Sequence, residues 1–277
     1  MLLASLGIEK PGIISFVGGG GKTSAIRCLS QELADVGEKC LVTTTTQMGE
    51  EEFRCYERRF LTLTWSEWEK NLGQLLLLPG RSILAVGRAL QRGKLKGIPP
   101  EWIDKVNLLA PDWYILVEAD GAARKPLKAP AAHEPVIPQR SQMVVGVVGA
   151  AAPGLPLTEN NFHRWEHLAG LTGLSPGAVL GPEAVAKVIL HPQGYQKNVP
   201  GRAVFRLLIN GLFTSKDRES ARKLALLTIK MGVERVVLAN VQEAFPVKEV
   251  FCSDSRFDPG GGTVEKNGVP ETTASPG

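Results

Sequence analysis

The chain has 277 residues, of which 43% are hydrophobic and 22% charged, and its formal net charge is +4. This apolar content can build a core, which excludes global disorder. No run approaches the roughly 20 apolar residues of a membrane span, and the weak positive charge is scattered among acids, unlike a nucleic-acid-binding face. The four cysteines form no C-x-x-C pair, so we expect free thiols. With no signal-peptide pattern at the N-terminus, we expect a cytoplasmic protein that binds neither membrane nor nucleic acid.

Strand and helix patterns alternate along most of the chain. Residues 12–17 form a short apolar run, a glycine loop follows, and a helical pattern continues to Gly37 before a second apolar run at 39–43. This order is typical of a βαβ unit, which has parallel strands and a crossover helix. Further strands are predicted at 82–86, 113–117, 144–148, 205–209 and 236–239, and further helices at 100–109, 161–169, 182–190 and 217–230.

These elements predict an α/β fold of the P-loop type, in which a mostly parallel sheet of about six or seven strands carries helices on both faces. We assign residues 1–252 to a single P-loop-like nucleotide-binding domain. Residues 253–277 are rich in glycine and proline and poor in apolar side chains, so we expect a disordered tail. Segments 121–140 and 191–203 are proline-rich and are predicted to be loops.

The stretch from Gly18 to Thr23 carries the strongest functional signal. It places four glycines, a lysine and a threonine between a predicted strand and a predicted helix. Backbone N–H groups of such a loop bind phosphate, the lysine reaches the terminal phosphates, and the hydroxyl ligates Mg²⁺. We therefore predict that Lys22 is catalytic and that Thr23 is a metal ligand. The predicted nucleotide-binding residues are Gly18, Gly19, Gly20, Gly21, Lys22, Thr23 and Ser24.

The loop departs from the strict eight-residue phosphate-loop motif, because the first glycine of that motif would fall on Phe16. The shorter form that is present, G-x-x-G-K-T, resembles the phosphate loop of the amide-forming ligases of cell-wall synthesis. A dinucleotide site is the competing interpretation of the same glycines. That site requires an acid after the second strand, where this chain has Thr43 to Thr46.

Two carboxylates follow the strand predicted at 113–117. Glu118 and Asp120 precede Gly121, at the end of a strand where ligands bind in open α/β sheets. Phosphoryl transfer requires a metal ligand and a group that positions the nucleophile. We predict that Glu118 ligates Mg²⁺ and that Asp120 is catalytic and positions the nucleophile. The structural alternative is a simple turn.

Four segments together resemble the selenium-dependent hydroxylase accessory family, the YqeC-like selenium cofactor biosynthesis proteins. They are Gly18–Thr23, Thr43–Thr46, Glu118–Gly121 and the run PLKAPAAHEPVIP at 126–138. The resemblance implies an accessory role in the maturation of selenium-dependent molybdenum hydroxylases. Together with the phosphate loop, it predicts a Mg²⁺-dependent enzyme that binds ATP or GTP. It also implies an anionic selenium or molybdopterin substrate and the client hydroxylase as partners. The alternative is a non-catalytic carrier or chaperone that binds nucleotide or a pterin phosphate and docks onto the hydroxylase.

One departure concerns the choice of nucleotide. Relatives resemble GTPases in carrying an Asn-Lys-x-Asp-like sequence after the strand that corresponds to 205–209. Here that position holds Asn210, Gly211, Leu212 and Phe213. Because the lysine and the aspartate that would pair with guanine are missing, ATP is preferred over GTP.

The loop after the acidic strand end is cationic. Arg124, Lys125 and Lys128 place three cations within five residues, and prolines stiffen the segment because they fix φ. We predict that these cations face an anionic substrate, with His133 and Glu134 as a candidate acid–base pair. The alternative is a solvated surface loop.

Residues 163–167 fit H-x-x-E-H, a zinc-peptidase pattern. No third ligand is evident nearby. We therefore expect a helix that presents Phe162, Trp165 and Leu168 to the core rather than a metal site.

Overall fold

Strands and helices alternate along the part of the chain that the structure, a computed structural model, describes: residues 1–62, 64–76, 83–91 and 93–253. The helices are α1 (Leu2–Leu6), α2 (Lys22–Asp35), α3 (Glu50–Arg54), α4 (Trp65–Leu76), α5 (Pro100–Leu109), α6 (Trp165–Thr172), α7 (Pro182–Leu190) and α8 (Ser215–Lys230). The strands are β1 (Gly12–Gly18), β2 (Cys40–Thr44), β3 (Gln47–Gly49), β4 (Arg58–Leu61), β5 (Ile83–Gly87), β6 (Ala89–Gln91), β7 (Lys94–Lys96), β8 (Tyr114–Glu118), β9 (Met143–Gly149), β10 (Val204–Asn210), β11 (Arg235–Ala239) and β12 (Val247–Cys252).

Among these residues, nine strands form the main sheet, in the order β12-β11-β10-β9-β1-β8-β2-β5-β4. Every neighbouring pair is parallel except β11 with β12, which is antiparallel. The predicted α/β class with a mostly parallel sheet is confirmed. The predicted strand number was too low because the two edge strands, β4 and β12, carry charged residues and do not read as continuous apolar runs.

A second sheet consists of three short antiparallel strands in the order β3-β7-β6. We call it the small sheet. Each strand has three residues, which is too short to produce a recognisable alternation of apolar and polar side chains. The sequence therefore predicted none of them.

The helices cover both faces of the main sheet. Along β1, Ile14 and Phe16 pack into a core with α1 and α2. On the opposite face, Ile13 packs with residues of α4 and α5, and Val17 packs with residues of α6, α7 and α8. Successive side chains of a strand point to opposite faces, and both faces of β1 are covered, so β1 is buried throughout, including Ser15.

Helices α5 and α7 begin and end at the residues predicted for them. Helix α6 begins at Trp165 rather than at 161, because Arg164 before it has a left-handed φ of 57° and interrupts the helix. Phe162 is buried in the core but precedes the helix. The two proline-rich segments, 121–140 and 191–203, contain no helix or named strand. None of the helices in the described ranges is both long enough and apolar enough to cross a bilayer.

The four cysteines all lie within the described residues and are free. Ser82, the predicted start of the strand observed as β5, lies outside the described residues. The same holds for the predicted tail beyond Ser253.

Candidate functional site

A cleft of about 1380 Å³ opens at the carboxyl ends of the parallel strands. Strands β1, β2, β8, β9 and β10 are neighbours in the sheet and end at this edge. Ligands of open α/β sheets bind in such crevices. The phosphate loop, which is Gly18–Thr23, and the loop that follows β8 both contribute to the lining of the cleft.

Glycine is required in the phosphate loop for conformation and for space. Gly18 has a φ of +96°, and a Cβ there would lie 2.3 Å from the ring of Tyr195. Gly20 has a φ of +74°, and a Cβ there would lie 2.1 Å from the backbone nitrogen of Gly149. No L side chain fits either position without moving its neighbours. The phosphate loop therefore packs directly against Tyr195 and Gly149.

Two side chains hold the start of the loop. Asp120 accepts the N–H of Gly18 with its two carboxylate oxygens, at 3.2 and 3.0 Å. The hydroxyl of Tyr195 accepts the N–H of Gly19 at 3.2 Å. Burial, together with the charge of Asp120, raises the pKa of Tyr195, so the hydroxyl stays protonated. Sequence reasoning missed Tyr195 because it is 176 residues away from Gly19 along the chain.

Donors for an anion remain at the N-terminus of α2. The N–H of Gly20 is used internally, since it donates to the carbonyl of Lys125 at 2.9 Å. Helix α2 begins at Lys22 after Gly21, and no side chain in the described part of the chain caps it. The N–H groups of its first turn therefore lack partners within the helix. They present a partial positive charge to the cleft, as in known phosphate sites.

The ammonium group of Lys22 is buried among acceptors. Its Nζ lies 3.1 Å from Oδ1 of Asp120, 3.6 Å from Oε1 of Glu118 and 2.6 Å from the carbonyl oxygen of Gly18. Burial alone would lower the pKa of Lys22, but the two carboxylates outweigh it and hold that pKa above its ordinary value. Lys22 is therefore charged and turned toward the acids.

Thr23 and Glu118 form a second contact beside Lys22. The hydroxyl of Thr23 donates to Oε2 of Glu118 at 2.8 Å. Burial raises the pKa of Glu118 against the opposing effects of Lys22 and Thr23. These oxygens are hard donors, and Mg²⁺ is commonly held by one or two carboxylates together with phosphate and water. The residues present thus fit a magnesium ion that shares its coordination with a nucleotide. Within the described residues, no cluster of three or more His, Cys, Asp or Glu side chains could hold a metal without such help.

Lys128 lies inside the protein rather than at the surface of the cleft. Its side chain is fully buried, with Nζ 3.3 Å from Oδ2 of Asp120 and in contact with Glu134. Arg164 adds a second cation, 2.7 Å from Oε2 of Glu134. Burial opposes ionisation, but the hydrogen bonds from Arg164 and Lys128 outweigh it and lower the pKa of Glu134 to about 2. The structure thus gives Lys128 an internal partner instead of the predicted substrate contact.

The other predicted substrate residues lie at the cleft. Arg124 is 84% exposed and lies 3.9 Å from Glu52, and Lys125 donates to the carbonyl of Asn160. His133 is exposed, with Nε2 4.0 Å from Oε1 of Glu134. Because the pKa of Glu134 is low, this carboxylate is a weak base at neutral pH, and the geometry does not favour the predicted acid–base pair.

Asn210 ties the phosphate loop to the far half of the sheet. Its Nδ2 donates to the carbonyl of Gly20 at 2.8 Å, and its Oδ1 accepts the N–H of Val241 at 3.1 Å. Phe213 follows on the wall of the cleft, with 76% of its surface exposed. The sequence pattern at these positions indicated only the absence of guanine recognition, because a contact across 190 residues leaves no local signal.

Comparison with known proteins identifies the family to which this chain belongs. A family model described as YqeC protein matches residues 14–166. The chain is 34% identical over 251 residues to a protein of Escherichia coli (strain K12) described as uncharacterized protein YqeC, covering 87% of this chain and 93% of that one. The chain belongs to the YqeC family. The resemblance inferred from the sequence motifs is confirmed.

A solved structure with a similar outline is that of chloroplast FtsY from Physcomitrella patens. It is 13% identical, with a TM-score of 0.44, and the alignment covers 88% of this chain and 64% of that one. The present chain thus spans less than two thirds of the length of that protein.

The H-x-x-E-H residues of this YqeC family member do not share one helical face. His163 precedes α6, and Arg164 breaks the helical path to His167. His163 lines the cleft, and burial, with the nearby charges of Arg164 and Lys128, lowers its pKa. It is therefore neutral at pH 7.

Proposed function

We propose that the chain is a Mg²⁺-dependent nucleotide-binding enzyme that releases or transfers the terminal phosphoryl group of a nucleoside triphosphate. One observation carries the proposal: a glycine loop and an uncapped helix N-terminus meet Lys22, Thr23 and Glu118 at a single point of the cleft. Phosphoryl transfer depends on positioning and charge stabilisation, which these groups supply. The sequence motifs that the chain shares with the family support a role in the maturation of selenium-dependent molybdenum hydroxylases.

The proposed roles follow from the contacts. The first-turn N–H groups of α2 bind the phosphates, and Lys22 neutralises the terminal group. Thr23 and Glu118 hold Mg²⁺, which when bound offsets the charge of the phosphates. Asp120 is 1% exposed and bonded to Gly18, Lys22 and Lys128. We therefore assign it to holding the loop and orienting Lys22 rather than to the predicted catalytic role of positioning the nucleophile.

The nucleobase is proposed to lie toward Phe213. An exposed aromatic ring on the cleft wall offers a stacking surface to any purine. Neither Gly211 nor Phe213 offers a carboxylate to read the guanine edge, and Asn210 is already bonded to the loop. This part of the site favours ATP or GTP without strict choice of guanine.

A carrier that binds nucleotide or a pterin phosphate without turnover is the second candidate, and the internal bonds of the loop favour it. The N–H groups of Gly18, Gly19 and Gly20 are all used within the protein, and Lys22 already has two anionic partners. Such a loop can bind a phosphate at α2 without rearranging for transfer.

Two measurements separate the candidates. Calorimetric titration with Mg²⁺ and ATP or GTP tests binding, and phosphate release tests turnover, with and without the client hydroxylase. If the chain is an enzyme, it releases phosphate and Lys22→Ala abolishes the release. If it is a carrier, it binds the nucleotide and releases no phosphate. The absence of binding for both nucleotides would overturn the phosphate site itself.

A further inference from the structure

The small sheet contributes a second cationic surface to the cleft. Lys94 and Lys96 are two residues apart on β7, so their side chains share one face, about 7 Å apart along the strand. Both are exposed and line the cleft. Leu95 between them is buried on the other face, where it packs against Gly87. Because of this alternation, both ammonium groups lie on the face of β7 that borders the cleft.

Arg88 lies beside these lysines. Its backbone N–H donates to the carbonyl of Lys96 at 2.8 Å, and its guanidinium lies 5.9 Å from the ring of Trp102. This distance is within the outer limit of a cation–π contact, and the planar set of N–H donors of a guanidinium suits an oxyanion. We call Arg88, Lys94 and Lys96 the basic wall.

The acids of the cleft are paired elsewhere. Glu118 lies near Lys22, and Glu52 lies 3.9 Å from Arg124. Glu134 is bonded to two cations away from the small sheet. Among the described residues, no carboxylate forms an ion pair with the basic wall, so its three positive charges have no anionic partner within the protein.

The size of the cleft leaves room for that anion. Ligand pockets commonly measure about 300–1,000 Å³, whereas this cleft measures about 1380 Å³. A nucleotide bound at α2 would therefore leave part of the cleft vacant, with the basic wall on its border.

We propose that the basic wall binds a second, phosphate-bearing small molecule, which shares the cleft with the nucleotide. The inference rests on the proposed function for the identity of the first ligand only. A phosphate group suits the wall because two ammonium groups and one guanidinium supply donors of one sign at short spacing. In this arrangement the nucleotide and its acceptor enter the same cleft from different walls.

The test uses inorganic phosphate as the probe on full-length protein saturated with Mg²⁺ and ADP. Broadening of the ³¹P signal of phosphate gives its dissociation constant in the native chain and in the double variant Lys94→Gln with Lys96→Gln. We expect binding to weaken by about tenfold or more, as for the loss of charge-assisted hydrogen bonds. The matched control is Lys216→Gln with Lys230→Gln, which removes two exposed lysines of α8, and its effect should stay below about twofold.

Equal weakening in both double variants would overturn the proposal, because net charge alone would then explain the binding. Unchanged binding in the small-sheet variant would also overturn it. The ADP signals report separately whether nucleotide binds. If ADP does not bind, the proposed function fails, and the same titration without ADP still decides the basic wall. A third outcome is that Lys22→Ala abolishes phosphate binding while the small-sheet variant leaves it intact. The probe would then bind at α2, which would contradict the proposed role of the basic wall.

Discussion

At the scale of single residues, the site is a balance of buried charges around Lys22. Its ammonium group faces Asp120 and Glu118, and Asp120 in turn faces Lys128. A phosphate entering the loop must compete with two carboxylates for the same cation. The charges of these residues therefore decide both the affinity of the site and part of the stability of the protein.

Lys22→Ala is expected to weaken ATP binding by about tenfold to a hundredfold, because one charge-assisted hydrogen bond contributes roughly 1.5–3 kcal/mol. The variant also leaves Glu118 without its nearest cation, which adds repulsion toward phosphate. Calorimetry with Mg²⁺ measures the change, and Lys230→Ala on the exposed face of α8 is the control. Equal ATP affinity in the native protein and in Lys22→Ala would rule out the assignment of the phosphate loop.

Glu118→Gln is expected to impair Mg²⁺-dependent nucleotide binding, whereas Asp120→Asn is expected to lower the stability of the protein. Glu118→Gln keeps an acceptor for Thr23 but loses the charge, so the gain in nucleotide affinity that Mg²⁺ brings should largely vanish while the fold persists. Asp120→Asn leaves Lys22 and Lys128 with less compensation in the interior, and breaking such a pair costs about 3–5 kcal/mol. Mg²⁺-titrated binding and urea unfolding of both variants check this pattern. A stable Asp120→Asn protein would contradict the proposed role in holding the loop.

At the scale of elements, a chain of ion pairs joins the loop after β8 to the start of α6. Glu134, in the loop, accepts from Lys128 and from Arg164, which directly precedes α6. The middle of the proline-rich loop is therefore fastened on two sides, to Asp120 beside the phosphate loop through Lys128 and to the start of α6 through Glu134. These ion pairs explain how a loop that contains no helix and none of the strands β1–β12 forms an ordered side of the cleft.

Acid should loosen this connection. The pKa of Glu134 is about 2 in the folded protein and about 4.3 in an unfolded chain. A depressed pKa contributes stability that is complete above the unfolded value and is lost as pH falls toward the folded value. The native free energy of unfolding should therefore drop between about pH 5 and pH 2 more steeply than that of Glu134→Gln. Urea unfolding across this range measures both slopes, and parallel slopes would contradict the ion-pair chain.

At the scale of the whole molecule, the phosphate loop is held by distant parts of the chain. Tyr195 supports it from a loop after α7, and Asn210 supports it from the end of β10. These contacts link the phosphate loop to the side of the sheet that contains β10. A ligand bound at the loop stabilises the folded protein by mass action.

Mg²⁺ with ATP at about a hundred times its dissociation constant should stabilise the protein by about 2.7 kcal/mol. For a chain of this size, that corresponds to a rise in Tm of roughly 5 °C. GTP should give a similar rise, because the site lacks a carboxylate that reads guanine. Thermal unfolding with each nucleotide checks this, with Lys22→Ala at the same concentrations as the control. A rise with GTP alone would show that another acid reads the base.

The sequence by itself determined the features that depend on local pattern. The apolar runs of the central strands and the spacing of α5 and α7 predicted those elements, because burial on both sheet faces requires apolar residues at regular positions. The phosphate loop and the two acids at the end of β8 were also predictable as neighbours. In a βαβ arrangement, these residues lie together at the carboxyl ends of the strands, and this position does not depend on the rest of the chain.

Only the tertiary structure decided which side chains complete the site. Tyr195 and Asn210 reach the loop across 176 and 190 residues, and no local propensity records such contacts. Lys128 resembles a surface cation in sequence, yet Asp120 and Glu134 compensate its charge in the interior. The basic wall depends on strands of three residues, which form only when their partners are present. Long-range pairing and charge compensation are properties of the folded chain, so they become visible only when distant segments meet.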